Sequence, residues 1–262
     1  MGALLAAGAC ATLLVGRLAF AIFVGVVLLA AYADLRRLLG ETGHPTTLVL
    51  GGAGVAGFLW CGYNGELDLV PAVAAGLVLA LLLTRIVLHE AGSRSTEVTA
   101  DLSATLGAAG LVGILGAHLL LLRAVPRFGF RGVVAFGLMV LGYETVSFVV
   151  GRWRGRHPLN KLIAPQKTWE GALAGFVMST LIGIGVGIFI DPPFSISSGP
   201  LFGIAMGVVV PLGDLGFSAI KRSAGARHSG GYLGAAGGAL DVVNGVLFAA
   251  PVFYWGFRTI AL

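Results

Sequence analysis

The chain has 262 residues, 57% of them hydrophobic and only 11% charged, with a net charge of +5. A soluble domain carries about 25% charged residues, so this composition excludes one and points to an integral membrane protein. The modest positive charge gives no reason to invoke nucleic acid; the placement of the cations is what informs.

Apolar runs of roughly 20 residues recur along the whole chain, each long enough to cross a bilayer as a helix. They predict an all-α fold, a polytopic integral membrane helical bundle of about eight transmembrane helices. The first span runs from near Cys10 to Arg36, the second from Thr46 to Tyr63, and the third from Leu69 to His89. The fourth covers Ala100 to Leu122, the fifth Gly132 to Val150, and the sixth Trp169 to Ile190. Leu201 to Arg222 and Gly238 to Ile260 complete the set. No basic stretch precedes the first apolar run and Arg17 interrupts it, so a spanning helix is expected there rather than a cleaved signal. Residues 1–262 read as a single membrane domain, with 1–128 as N-terminal scaffold helices and 129–262 as the half that carries chemistry.

Cys10 and Cys61 both fall in apolar runs and read as small buried hydrophobes, without disulfide or zinc spacing. Gly52-x-Gly54-x-x-Gly57 matches a dinucleotide fingerprint in letters only. It lies inside a span, with no strand before it and no acid about 20 residues on, so packing glycines are the better account. Gly183, Gly185 and Gly187 are read the same way.

Eleven of the seventeen cations, among them Arg36, Arg37, Arg94, Arg152, Lys167, Lys221 and Arg227, fall in the odd-numbered loops. The even loops and the C-terminal end hold Arg123, Arg127, Arg131 and Arg258. The positive-inside rule makes the odd loops cytoplasmic and puts both termini outside. A multi-pass protein of the cell inner (plasma) membrane is expected, with its polar loops facing the cytoplasm.

The stretch from Gly213 to Asn244 concentrates the chemistry. Asp214 lies in an apolar run, where an acid costs roughly 3 kcal/mol on insertion scales, so it is a functional candidate by default. On a helix, Ser218, Lys221 and Arg222 share its face. A glycine-rich loop follows with Arg227 and His228, and the last span opens with Asp241 and Asn244. Two hard carboxylates with few other ligands favour Mg²⁺, which keeps waters and takes substrate phosphates; Asn244 offers a further oxygen. Lys221, Arg222 and Arg227 would clamp phosphates. Against this, Asp214 could pair structurally with Lys221 or Arg222, the cations could be topology anchors, and His228 could be a solvated loop residue.

A second constellation is Ala164-Pro165-Gln166-Lys167-Thr168-Trp169-Glu170-Gly171. Thr168 reads as an N-cap with Glu170 in the first turn, and Lys167 adds charge at a helix start that favours an anion; a merely capped helix with a topology lysine is the alternative. A third is Glu144 inside the fifth span, followed by the basic run at Arg152, Arg154 and Arg156, which either holds anionic headgroups or fixes topology.

Together these stretches resemble the phosphatidate cytidylyltransferase (CDP-diacylglycerol synthase) family. Its S-x-x-K-R appears as Ser218, Lys221 and Arg222, preceded by Gly213-Asp214-Leu215, and its G-G-x-x-D as Gly237, Gly238 and Asp241. Pro165, Lys167, Thr168, Glu170 and Gly171 match S-P-x-K-T-x-E-G, and Glu144, Phe148, Gly151 and Arg152 echo D-x-x-A-Y-x-x-G-R. The chain departs where the family's K-D pair is Arg227-His228, where the histidine before G-G is Ala236, and where R-x-D is Val242-Val243-Asn244. The resemblance implies CTP and phosphatidate as substrates, CDP-diacylglycerol and pyrophosphate as products, and Asp214 and Asp241 as ligands of Mg²⁺. It implies a site made by Asp214, Lys221, Arg222 and Asp241, with Lys167, Thr168, Glu170, Ser218, Arg227, His228, Arg152 and Glu144 around the substrates. Membrane lipids are the expected surroundings and a homodimer is left open. The departures leave two alternatives: a relative acting on another lipid phosphate, or a non-catalytic lipid-binding or partner subunit.

Overall fold

The computed structural model describes residues 2–43, 46–89, 98–230 and 237–261; Arg94 and Ala236 lie outside the described residues. Among the described residues there are nine α-helices, seven of them long and apolar enough to cross a membrane. The chain is an all-α, multi-pass membrane protein. It divides into two compact units: Met1–Leu121 with Ser223–Val243, and Leu122–Arg222 with Asn244–Leu262.

The first unit holds α1 (Gly2–Val15), α2 (Arg17–Glu41), α3 (Leu48–Asn64), α4 (Val70–His89) and most of α5 (Val98–Ala124). The first predicted span is thus two helices. Gly16, at φ 150° and ψ 175°, separates them in a backbone region that side-chain-bearing residues rarely enter. In the sequence only the single charge of Arg17 marks that break, with apolar residues on both sides. At its other end α3 stops on Gly65, at φ 81°, whose amide closes back onto the Cys61 carbonyl. The fingerprint glycines are packing positions: a Cβ on Gly54 would sit 2.6 Å from Leu77, and one on Gly57 2.8 Å from Val73. Cys61 is buried as expected, but Cys10 is exposed. Its helix α1 packs on α2 along one side, Gly8 against Phe23, and other side chains on α1, Leu14 and Val15, stand exposed as lipid-facing residues do.

Polar contacts in this unit tie α2 to the start of α3, and α4 to α5. Tyr32 of α2 donates to the Thr47 carbonyl at 2.8 Å, and Arg36 to the Thr46 carbonyl at 2.9 Å. Arg85 of α4 pairs with Asp101 of α5.

The second unit contains α6 (Gly129–Arg154), a hairpin of β1 (Pro158–Asn160) and β2 (Ala164–Thr168), then α7 (Trp169–Phe189), α8 (Ser198–Ser223) and α9 (Ala239–Ala261) from Asn244 onward. Glycines let its helices meet backbone to backbone. On α7 and α8, a Cβ on Gly183 would lie 2.5 Å from the Gly199 carbonyl, and one on Gly203 2.8 Å from Thr180 Cα. The Ser179 hydroxyl donates across the same seam to the Gly203 carbonyl at 2.8 Å. Gly187 packs there too, whereas Gly185 faces open space and is not a packing residue. Phe136, Phe194, Phe202, Phe253 and Phe257 interlock at ring-centroid distances of 4.9 to 6.3 Å and form an aromatic core. The polar groups described next lie near the hairpin.

Candidate active site

The hairpin is the local device that brings Lys167 inward. Its strands pair Pro158 with Thr168 and Asn160 with Ala164. The Asn160 side-chain oxygen accepts from the amides of Leu162 and Ile163, both at 2.9 Å, and so makes the turn itself. Two clamps close its base. The Trp169 amide donates to the His157 carbonyl at 2.9 Å, and His157 Nδ1 lies 2.6 Å from the Glu170 carboxylate. Thr168 is the N-cap of α7, accepting from the Gly171 amide at 3.2 Å, as its sequence context predicts. From α8, Arg222 Nε donates to the Ile163 carbonyl at 3.1 Å and ties the hairpin to the helix that carries Asp214.

Asp214 is 1% exposed, and its Oδ2 pairs with the Lys167 ammonium. Burying a carboxylate this deeply is tolerable only with such a partner. Glu144 of α6 comes to the same place. A Cβ built on Gly245 would lie 2.9 Å from Glu144 Oε1 and 3.4 Å from Asp214 Oδ1, so these oxygens are no further apart than the sum of those distances. Only a residue without a side chain fits this point of α9. Lys221 is buried. Burial pushes the Lys167 ammonium below its ordinary pKa; the Glu144 carboxylate opposes that shift and the Lys221 ammonium adds to it. Asn244 is buried, with its side-chain oxygen taken by the Gly245 amide at 2.7 Å. Ser218 is half-buried, one turn beyond Asp214, while Arg152 is exposed on the last turn of α6.

The remaining predicted residues belong to the first unit. Asp241 lies in the first turn of α9 and accepts with one oxygen from three donors: the Ser229 amide at 2.8 Å, the Ser229 hydroxyl at 3.1 Å and the Gly238 amide at 3.1 Å. The last of these is the reach-back of a capping box, from the third helical residue to the N-cap. His228 Nδ1 stands 3.9 Å away, and both His228 and Arg227 are exposed. A residue not singled out in the sequence, Asp34 of α2, is 5% exposed and accepts from the Leu240 amide at 3.1 Å. Asp34 is also an acid in an apolar run, but the adjacent Arg36 and Arg37 make it look like part of an ordinary charged helix end.

The sequence is similar to those of known proteins. A family profile described as the cytidylyltransferase family covers residues 1–260. The chain belongs to that family. A phosphatidate cytidylyltransferase of Synechocystis is 38% identical over 42% of this chain and 37% of its own length. One from Brucella abortus is 34% identical over 56% of this chain and 55% of its own. One from Mycobacterium tuberculosis is 29% identical over 87% of this chain and 71% of its own. The chain thus spans about half the length of several curated relatives it matches. Family membership gives the cation-and-carboxylate cluster of Lys167, Glu144, Asp214 and Lys221 a chemical context, since cations and acids side by side are what phosphate chemistry uses.

Among the described residues no cluster of three or more His, Cys, Asp or Glu side chains has the spacing of a closed metal site. Two carboxylates meeting at Gly245, which a Cβ would fill, do fit an ion that takes the rest of its shell from water and phosphate. Sequence alone pairs Asp214 with Asp241; within the second unit the acid beside Asp214 is Glu144.

Proposed function

We propose that this chain is a membrane nucleotidyltransferase joining CTP to phosphatidate, with CDP-diacylglycerol and pyrophosphate as products. The observation that carries the reading is the buried Asp214 paired to Lys167, with Glu144 alongside and Lys221 buried on the same helix as Asp214. The names of the relatives supply the substrate class. An oxygen of the lipid phosphate attacks the α-phosphorus of CTP, the bond from that phosphorus to the bridging oxygen breaks, and pyrophosphate departs.

Lys167, Lys221 and Arg222 hold phosphate oxygens. Lys167 pairs with Asp214, and a polyphosphate would compete for its ammonium. Thr168 and Glu170 keep the hairpin and the α7 start in register, so the ammonium is delivered to one place. Within the second unit Asp214, with Glu144 and Asn244 as further oxygens, would hold Mg²⁺, which when bound supplies charge neutralisation on the phosphates; Asp241, in the first unit, is a further carboxylate for Mg²⁺. Arg152 and Ser218 in the second unit, and Arg227 and His228 in the first, are further polar groups for the substrates. The acyl tails remain in the bilayer, and the polar ends of the helices face the cytoplasm of the inner membrane.

The test is pyrophosphate release from CTP and phosphatidate by the detergent-purified chain with Mg²⁺. Asp214→Ala should lower the rate at least about 100-fold, the scale of losing one preorganised charge. A wild-type chain that binds neither substrate, or an Asp214→Ala variant with full activity, overturns the reading. One observation favours a second reading: His228 and Asn244 stand where the related pattern has acids. Turnover of another lipid phosphate in preference to phosphatidate would establish it.

A further inference from the structure

Asp34 has no role in the site as described so far, yet its surroundings are built around it. It sits near the end of α2, buried, and two separate pieces of chain converge on its Oδ2. One is the first turn of α9, whose Leu240 amide donates at 3.1 Å. The other is Ser229, fully buried, whose hydroxyl lies 3.3 Å from the same oxygen. That hydroxyl is simultaneously 3.1 Å from Asp241 Oδ2. Ser229 therefore stands between two carboxylates, one on α2 and one on α9.

The glycines record the same arrangement. A Cβ on Gly238 would run into the Asp34 carboxylate, and it would lie 2.5 Å from the Ser229 hydroxyl. Gly237, at φ 80°, has the Asp241 carboxylate over its α-carbon, 3.0 Å from an added Cβ at the carboxylate carbon. Both glycines are bare because acids occupy the space their side chains would need. An ordinary N-cap would satisfy the first amides of α9 with a neighbouring Ser, Thr or Asp. Here the N-cap is Gly238, and the Leu240 amide is served by a residue 206 positions away. A local cap would hold the helix start, but it would not fix it against α2.

We propose that Asp34 is a positioning residue: by holding the Leu240 amide and the Ser229 hydroxyl it sets the direction of the Asp241 carboxylate for Mg²⁺ and phosphate. The inference rests on the function proposed above for Asp241, and it gives Asp34 of α2 a part in it. Outer-shell partners of ligating carboxylates typically change metal affinity or activity by roughly 10- to 100-fold when removed.

Two readouts on the full-length purified chain test it. The first is kinetic. Asp34→Ala and Ser229→Ala should each raise the Mg²⁺ concentration for half-maximal rate or lower kcat by at least about tenfold, while the KM for phosphatidate stays within about twofold. Asp34→Asn, whose amide oxygen still accepts from Leu240, should recover part of the loss. The double variant should be no worse than the poorer single one, because both act on one carboxylate. The second readout needs no activity: hydrogen exchange of the Leu240 and Gly238 amides should accelerate in Asp34→Ala and in Gly238→Ala. Wild-type Mg²⁺ dependence in Asp34→Ala, multiplying effects of Asp34→Ala and Ser229→Ala, or unchanged exchange at Leu240 would each overturn the proposal. Absence of pyrophosphate release by the wild type would strike the proposed reaction instead, leaving the exchange result to decide the role of Asp34.

Discussion

Lys167 shows how a single side chain couples the fold to the proposed chemistry. The hairpin holds its ammonium beside a carboxylate that is 1% exposed, and burial lowers its pKa from the ordinary 10.5. The folded chain therefore gives up the proton at a lower pH than the unfolded chain does. Between the two pKa values the unfolded state binds more protons, so this group's penalty on folding shrinks as pH rises through that window. Function runs the other way, because only the charged form holds a phosphate. The alkaline limb of the rate profile should fall below pH 10.5, and Lys167→Arg should move that limb upward, since a guanidinium stays charged. An alkaline limb that Lys167→Arg leaves in place would assign it to another group. Asp214 was legible in sequence because an acid in an apolar run is conspicuous. The lysine it pairs with, 47 positions earlier, was not fixed by any spacing.

Among the elements, α7 and α8 depend on glycine at named positions, and the hairpin depends on Asn160. Gly183, Gly199 and Gly203 place backbone against backbone, with the Ser179 hydroxyl bonded across the seam. Gly203→Val would drive a branched side chain into the main chain of Ser179 and Thr180, where nothing can rotate away. Overpacking of this kind costs about 1–3 kcal/mol. A thermal scan in detergent should show Gly203→Val melting several degrees below wild type, while Gly185→Ala, facing open space, should match it. Equal melting of both would mean that the seam yields. The helices themselves were readable because burial in lipid imposes long apolar runs. The hairpin was not, because strands of three and five residues are too short for any alternation to register. The break at Gly16 was only half visible, since Arg17 interrupts the apolar run there but one charge does not by itself end a helix.

At the scale of the whole molecule, the spans are read from hydropathy and the expected orientation from charge, and the two rest on different physics. Crossing follows from satisfying backbone groups in lipid, which leaves little choice. Orientation follows from a bias of Lys and Arg between loops, a smaller effect summed over many residues. Contacts such as Asp34 to Leu240 lie beyond both, since neither hydropathy nor charge relates residues 206 apart. The orientation is open to direct measurement. In the second unit, Lys161 lies between the two hairpin strands and Ser197 lies between α7 and α8; both are exposed. The 21 residues of α7 separate these loops, about 30 Å at the helical rise. Lys161→Cys and Ser197→Cys, each made in a Cys10→Ala background that leaves only the buried Cys61, should therefore respond oppositely to a membrane-impermeant maleimide. Intact cells should label Ser197→Cys and spare Lys161→Cys, and inverted vesicles should do the reverse. Labelling of Lys161→Cys from outside would put the Lys167–Asp214 pair on the side away from cytoplasmic CTP, and the proposed reaction could not stand.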